Sequence, residues 1–589
     1  MNKRLADLRT LMQTYNLDAY IIPNTDPHQS EYIAEHWRSM TWVSGFDGSA
    51  GTLAITKDFA GLWTDSRYFL QAEQQLAGSG VELVKLKVQG KPEYVDWLAE
   101  NLTKGAEVGI DGKLFSIAQI ARMRKIFDAK GINLVACDDL IKVIWKDRPA
   151  IPENPIFIHD IAYAGKTRME KIAQVREKMA EKNVNYHLLT ALDDIAWLLN
   201  IRGNDVNCNP VAICYCLITP TNVQLFINPK KVTYEVGQAL KADGIELLDY
   251  LKIEAALKNL PPNDTWMLLS QHQVSHWLHS AIPNGTKLGF GDSIPHYAKA
   301  IKNEVEIGHF RKVMEKDGVA MVRFFKWLEA NIGQTKISEL SAAEKLESFR
   351  AAQPHFVGNS FEAISGYKGH GAIIHYRVTP ETDWEMTADG VYLLDSGGQY
   401  LDGTTDITRT VTLGNPTDEE KTAYTSVLKA HISVAVAHFP VGNSGRHLHA
   451  ICKQHLWSQG LDYGHGTGHG VGFFLNVHEG PQRISDGANS DVPFEVGMVT
   501  SNEPGNYIED KYGIRIENLI LTIPSEYEGF LKHETLTLCP IDKTLINKTL
   551  MTDSEIQWLN DYHQMVFDRL SPLLESDEVE WLREKCAAL

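Results

Sequence analysis

VYLLDSGGQYLDGTTDITRT, residues Val391–Thr410, decides how the chain is read. Val391 to Leu394 is a run of strand formers, and Ser396-Gly397-Gly398 makes the chain turn. Thr404 to Leu413 alternates strand formers again, which predicts a hairpin. Each arm carries one carboxylate among apolar neighbours: Asp395 closes the first strand and Asp406 lies in the second. An ionised carboxylate against a packed sheet is costly unless it is paired or holds a cation. Two that converge repel each other, and a shared metal ion is the usual remedy. The plain alternative is a solvated turn in which Asp406 pairs with Arg409.

Three stretches downstream add donors. His465-Gly-Thr-Gly-His469-Gly sets two histidines four apart, a zinc spacing on a helix, but its glycines disfavour a helix. A glycine-rich loop is expected instead, letting the backbone approach a ligand closely. In SNEPGNYIE, Glu503 precedes Pro504 and is therefore held out of the helical region. In YGIRIENLILTI, period two puts Arg515 and Glu517 on one sheet face and Ile514 and Ile516 on the other. Two Asp, two Glu and one or two His from separate elements suit two divalent cations better than one. An oxygen-rich set with a single imidazole favours manganese, with cobalt or zinc as substitutes. Such a pair activates water for hydrolysis of an amide or ester.

A chain of 589 residues is too long for one core, and roughly two to four domains are expected. Its hydrophobic content of 43% and charged content of 22% are those of a soluble globular protein. The net charge of −18 opposes both a nucleic-acid backbone and an anionic membrane. No apolar run reaches the roughly 20 residues that a bilayer span needs. Seven scattered cysteines and no signal-peptide pattern argue for reduced thiols and a cytoplasmic location. Cys214-Tyr-Cys216 lies in the apolar run VAICYCLIT, reads as a buried strand, and is not a zinc site.

The N-terminal half is internally repeated. Leu5, Leu8 and Met12 match Ile172, Val175 and Met179, then Leu17 matches Val184 and Ile21-Ile22 match Leu188-Leu189. Two related α/β domains in tandem follow, joined at DRPAIPENP (147–155), where three prolines stop regular structure. The expected domains are 1–153, 154–299, 300–541 and a helical extension, 542–589. The third opens with a helix over 303–330 whose apolar residues share one face, and Trp558, Leu559, Val566, Leu570, Leu573 and Leu574 give the tail its helical pattern. SGFDGSAGT (44–52) lacks a following Lys and reads as a turn, not a phosphate cradle. In WTDSRYFLQA (63–72), Asp65 and Arg67 are expected to pair with each other.

Asp395, Asp406, His469, Glu503 and Glu517 resemble, in order and spacing, the five metal ligands of the pita-bread metallopeptidases. GAIIHYRVTPE, LLDSGGQYLDGTTDITRT, HGTGHGVG, NEPGNY and GIRIEN are similar to the three-domain aminopeptidase P group, as are the paired N-terminal domains, TDSRYFLQA and the helical tail. The resemblance implies two α/β domains of creatinase/prolidase N-terminal type, then a pita-bread catalytic domain with a curved antiparallel sheet and a helical C-terminal tail.

It further implies a manganese aminopeptidase that removes the first residue before a penultimate proline, through a hydroxide bridging two Mn ions. Asp395 would hold one ion, His469 and Glu503 the other, and Asp406 and Glu517 both. Glu503 would also take the proton from water. His375 and His478 would hold the proline side and the peptide carbonyl, and His465 would help stabilise the tetrahedral intermediate. Arg515 would pair with Glu517, and Arg67 would reach substrate from the first domain. The resemblance also implies a homodimer. His355, His370, His447 and His449 are read as structural.

Three rivals remain, two of which share the ligands. Prolidase, restricted to Xaa-Pro dipeptides, usually has one N-terminal domain, and methionine aminopeptidase needs no such N-terminal half. A pita-bread binding module without catalysis would have lost ligands, and all five stand in this sequence.

Overall fold

A computed structural model describes residues 3–88, 90–487 and 490–589. The chain divides into two compact units, Met1–His159 with Lys166–Pro295, and Asp160–Gly165 with His296–Leu589.

The first unit is built twice from one plan. Helix α1 (Lys3–Thr14) buries Leu5, Leu8 and Met12, and α2 (Arg168–Glu181) buries Ile172, Val175 and Met179. Each helix is followed by an asparagine in the left-handed region, Asn16 at φ 54° and Asn183 at φ 54°. An asparagine tolerates that conformation and turns the chain back into a strand. The first sheet comprises β1 (Ala19–Pro23), β2 (Thr52–Thr56), β3 (Ala60–Thr64), β4 (Glu82–Lys85), β5 (Glu107–Asp111) and β6 (Asn133–Cys137). Its order is β4-β3-β2-β1-β5-β6. The second comprises β7 (Tyr186–Leu189), β8 (Cys214–Ile218), β9 (Val223–Ile227), β10 (Ile245–Leu248), β11 (Trp266–Leu269) and β12 (Lys287–Phe290). Its order, β10-β9-β8-β7-β11-β12, is the same, and so is every strand direction. Cys214 and Cys216 are buried in β8, and all seven cysteines are free thiols. Between the halves, Arg148 to Ile156 forms neither helix nor strand. Arg67 Nη2 and Asp65 Oδ2 pair at 2.8 Å within this unit.

The second unit opens on α3 (Glu304–Asn331). The Asn303 side chain accepts from the Val305 and Glu306 amides, and Glu306 bonds back to the Asn303 N–H, a capping box that fixes the start. Ile307, Phe310, Met314, Met321, Phe325 and Leu328 form its buried face. After α4 (Glu339–Ala351) come β13 (Ile364–Tyr367), β14 (Val391–Ser396) and β15 (Ile407–Thr412), which form one antiparallel sheet with β14 in the middle. The larger sheet uses β16 (Phe439–Pro440), β17 (Gly468–Gly470), β18 (Glu479–Ile484) and β19 (Val499–Asn502). The ribbon β20 (Gly505–Ile508) and β21 (Tyr512–Arg515) intervenes before β22 (Asn518–Pro524) and β23 (Phe530–Thr535) complete it. The order is β16-β23-β22-β19-β17-β18, antiparallel throughout, and this is the pita-bread arrangement.

Helices α5 (Asp418–Ala435) and α6 (Gly445–Trp457) share the core with these sheets. The tail, α7 (Asp553–Leu570) and α8 (Ser576–Lys585), buries Leu559, Val566 and Leu570. It is pinned to α3 by Arg569–Glu315 at 2.8 Å and Arg323–Glu578 at 2.9 Å. Leu573 departs from the expected buried pattern: it lies in a 3-10 turn after α7 and is exposed.

Candidate metal centre

The two strands pair antiparallel as predicted, but Ser396-Gly397-Gly398 is not their turn: the chain continues as a short strand, Gly398–Tyr400, pairs it with Gly403–Thr404, and enters β15 only at Ile407. Asp395 on β14 is directly opposite Thr408 on β15, and Asp406 immediately precedes β15. Both carboxylates are buried. Gly397 is needed for close approach, since a Cβ there would lie 2.0 Å from the Thr405 carbonyl oxygen. Arg409 does not pair with Asp406. It is buried and donates to the Glu517, Pro540 and Cys539 carbonyls and the Asn518 side chain. The solvated-turn alternative therefore fails.

Gly468–Gly470 is a strand, not the expected loop, and its glycines serve neighbouring strands before any ligand. A Cβ on Gly468 would lie 1.9 Å from the Ser501 carbonyl oxygen, and one on Gly470 2.3 Å from that of Glu479. That tight packing carries His469 to the carboxylates. His469 Nε2 stands 3.5 Å from Asp406 Oδ2 and 3.4 Å from Glu503 Oε1. Nδ1 lies 2.9 Å from the Gly470 carbonyl oxygen, an acceptor that puts the proton on Nδ1 and leaves the Nε2 lone pair facing the acids. Glu503 follows β19, and its backbone N–H donates to the Thr467 carbonyl at 2.7 Å. Glu517 lies in the break between β21 and β22, and its N–H donates to the Thr408 carbonyl at 3.1 Å, tying it to the Asp hairpin.

One donor atom each from Asp406, His469 and Glu517 lies within 4.8 Å of the others. Asp395 Oδ1 and Glu517 Oε1 are buried and accept no hydrogen bond among the described residues. Burial and the neighbouring acids push Asp406 and Glu517 well above the usual carboxylate range. Burial likewise pushes Glu503 up to about 7, against the pull of Arg515. Buried acids that repel one another, with lone pairs unused and one imidazole nitrogen turned toward them, fit hard divalent cations.

Arg515 pairs with Asp395, not with Glu517 as expected. Nη2 is 2.6 Å from Asp395 Oδ2, and Nε reaches the Thr408 hydroxyl at 3.1 Å, which itself donates to Glu517 at 2.8 Å. The reason is the break at Ile516: Arg515 ends β21, so the two side chains do not alternate along one strand. Nη1 donates to the Tyr507 hydroxyl at 2.7 Å, and that hydroxyl also meets His465 Nε2 at 2.8 Å. Tyr507 was visible only as the last letter of NEPGNY, where nothing singled out its phenol.

The His478 ring meets His469 edge-on, with centroids 4.3 Å apart. His375 is half-buried and follows Ile374, whose carbonyl accepts from Arg515 Nη2 at 3.4 Å. Arg67 belongs to the first unit and is held by Asp65. His449, buried, bonds the Thr467 hydroxyl at 2.8 Å inside the HGTGHG stretch, and His370 pairs with Glu339.

Comparison with known proteins identifies the family. Residues 308–523 match Metallopeptidase family M24, and 529–589 match the C-terminal region of that family. Residues 4–144 and 147–306 each match a Creatinase/Prolidase N-terminal domain. A protein of Laccaria bicolor named probable Xaa-Pro aminopeptidase P is 41% identical, covering 100% of this chain and 93% of its own. Aminopeptidase P2 of Arabidopsis thaliana is 39% identical over 99% of this chain and 88% of its own. The crystal structure of X-prolyl aminopeptidase from Caenorhabditis elegans, described as a cytosolic enzyme with a di-nuclear active site, superposes with a TM-score of 0.96. It is 34% identical and covers 100% of this chain and 99% of that one. An Xaa-Pro dipeptidase from Bacillus anthracis, 25% identical with a TM-score of 0.52, covers 64% of this chain and 99% of its own. The chain belongs to metallopeptidase family M24, its family domain preceded by two creatinase/prolidase N-terminal domains.

Proposed function

We propose that this protein is a manganese-dependent Xaa-Pro aminopeptidase. The observation that carries the reading is similarity along the whole chain, both α/β domains included, to relatives of that name. The Xaa-Pro dipeptidase structure matches only 64% of it. Asp395 would hold one ion, His469 and Glu503 the second, and Asp406 and Glu517 both. Bound there, the ions would supply Lewis acidity, ionising a shared water near neutral pH and offsetting the charge that builds on the peptide oxygen.

The chain's own groups do the rest. Glu503, facing His469 and accepting from the Ser501 hydroxyl at 3.2 Å, takes the proton from water. Arg515 holds Asp395, and Tyr507 links Arg515 to His465, which is thereby aimed at the developing oxyanion. His375 and His478 bind the proline side and the carbonyl, and Arg67 would contact substrate from the first unit. The scissile nitrogen is tertiary and has no N–H, so a peptidase that needs that donor fails on it. Attack at the carbonyl requires none.

Among the described residues no helix is long and apolar enough to cross a membrane. The reading includes a cytoplasmic homodimer acting on peptides with a penultimate proline, with no nucleic acid or membrane partner. Elemental analysis of protein purified without chelator, then reloaded with manganese, tests the site. Two ions per chain and release of free arginine from Arg-Pro-Pro are expected. Full activity with no metal after dialysis against chelator would contradict it.

A further inference from the structure

Two glutamates outside the metal centre are each buried beneath a loop that carries one of its non-ligand histidines. Glu339, at the start of α4, is fully buried. Its carboxylate accepts from the Tyr367 N–H at 2.7 Å, the Tyr376 hydroxyl at 3.0 Å and the Trp384 N–H at 3.1 Å. It also pairs with His370 Nδ1 at 2.9 Å. These partners span an irregular stretch whose one regular element before Trp384 is the short 3-10 turn Lys368–Ala372. A single carboxylate therefore fastens the beginning, middle and end of the stretch that presents His375, which adjoins Tyr376.

Glu479 follows His478 directly, and its side chain is fully buried. One oxygen meets Lys302 Nζ at 2.5 Å, and the other meets Lys299 Nζ at 3.5 Å. Lys302 is itself fixed, since Nζ donates to the Lys299 carbonyl at 2.8 Å and its N–H to the Gly497 carbonyl at 3.0 Å. Beyond it Gly480 lies against His296, where a Cβ would come 2.6 Å from the imidazole.

Buried charge networks of this kind are seldom the most stable option, because well-packed apolar groups of the same volume often do as well. A well-satisfied network does fix one geometry: Glu339 is hydrogen-bonded at both oxygens, while Glu479 is hydrogen-bonded at the oxygen facing Lys302 and held at the other by the longer ion pair to Lys299. Taking the roles of His375 and His478 from the aminopeptidase reading, we propose that Glu339 and Glu479 are their positioning residues. Glu339 sets His375, and Glu479, anchored on Lys302, sets His478. Each acts on its own histidine and not on the other.

Double-mutant cycles on the manganese-loaded full chain test this, with kcat and KM measured on Arg-Pro-Pro. Glu339→Gln should lower kcat/KM roughly tenfold in the wild-type and His478→Ala backgrounds, and by less than about twofold in His375→Ala. Lys302→Met should show the reciprocal pattern. Equal losses in every background, the mark of a general loss of structure, would overturn the proposal. Tyr376→Phe removes one hydrogen bond only and serves if Glu339→Gln does not fold. A second readout needs no turnover: diethyl pyrocarbonate labelling, located by peptide mass spectrometry. Glu339→Gln should speed labelling at His375 alone, and Lys302→Met at His478 alone. Unchanged rates at both would overturn the proposal. A wild-type protein that leaves Arg-Pro-Pro intact would refute the aminopeptidase reading, while labelling would still decide the positioning claim.

Discussion

Arg515 holds Asp395 at 2.6 Å and reaches Glu517 only through the hydroxyl of Thr408. One guanidinium therefore orients acids on both sides of the centre, using three separate donors. A lysine is a point charge and cannot span them. Arg515→Lys should cost roughly 10–100-fold in kcat or manganese affinity, the scale for partners that orient metal ligands. Thr408→Val, which removes only the link to Glu517, should cost less. Steady-state kinetics with calorimetric manganese titration measures both. Wild-type values in Arg515→Lys would show that the three bonds contribute nothing.

Glu503 stands beside His469, and burial pushes its carboxyl up to about 7, suited to taking a proton near neutral pH. Glu503→Gln should lower turnover by roughly 10² or more, the scale of a lost general base, while circular dichroism shows the fold retained. Near-normal turnover would remove Glu503 from the mechanism.

The raised carboxyls predict how pH acts without metal. Glu503 moves from 4.5 to about 7, and Asp406 and Glu517 are raised well above their usual range. Between those limits the folded protein binds more protons than the unfolded chain, so this contribution to stability falls as pH rises. Metal binding displaces the same protons and grows stronger with pH. The gap in Tm between manganese-loaded and chelator-treated protein should therefore widen from pH 5 to pH 7.5. A constant or narrowing gap, measured by calorimetry, would contradict the placement of these acids.

Gly468 packs so closely on Ser501 that a methyl group has no room. Gly468→Ala should separate β17 from β19 and lower both stability and metal content. Gly358→Ala, which meets nothing within 4 Å, should stay within about 0.5 kcal/mol of wild type. Coincident urea denaturation curves for the two variants would contradict the packing argument.

What the sequence showed follows the range of its signals. The matched helices and strands of the first unit and the long helix that opens the second were legible because a 3.6-residue or two-residue period repeats locally. The antiparallel pairing around Asp395 was legible for the same reason, but not the short strands Gly398–Tyr400 and Gly403–Thr404 that lie before Asp406. HGTGHG was half misread: His465–Thr467 is the expected loop, but Gly468–Gly470 is a strand, and only the structure shows β18 and β19 closing on it. The resemblance implied that Arg515 pairs with Glu517, and period two put both on one sheet face; the strand ends at Arg515, and the guanidinium turns to Asp395 instead. Glu339, Glu479 and Tyr507 gave no signal, since each acts through residues distant in sequence, and a lone glutamate in a helical pattern looks like a solvated one.

Substrate choice tests the whole reading most directly. Arg-Pro-Pro, the Arg-Pro dipeptide, Met-Ala-Ser and Arg-Ala-Ala should be offered side by side, each with manganese. If His375 and His478 hold the proline ring, replacing that proline by alanine should cost about 1–3 kcal/mol, or roughly 10–200-fold in kcat/KM. Arg-Pro-Pro should therefore be cleaved best, with Arg-Ala-Ala and Met-Ala-Ser far behind. Preference for the dipeptide would make the protein a prolidase, preference for Met-Ala-Ser a methionine aminopeptidase, and cleavage of none a binding module; each result would contradict the assignment.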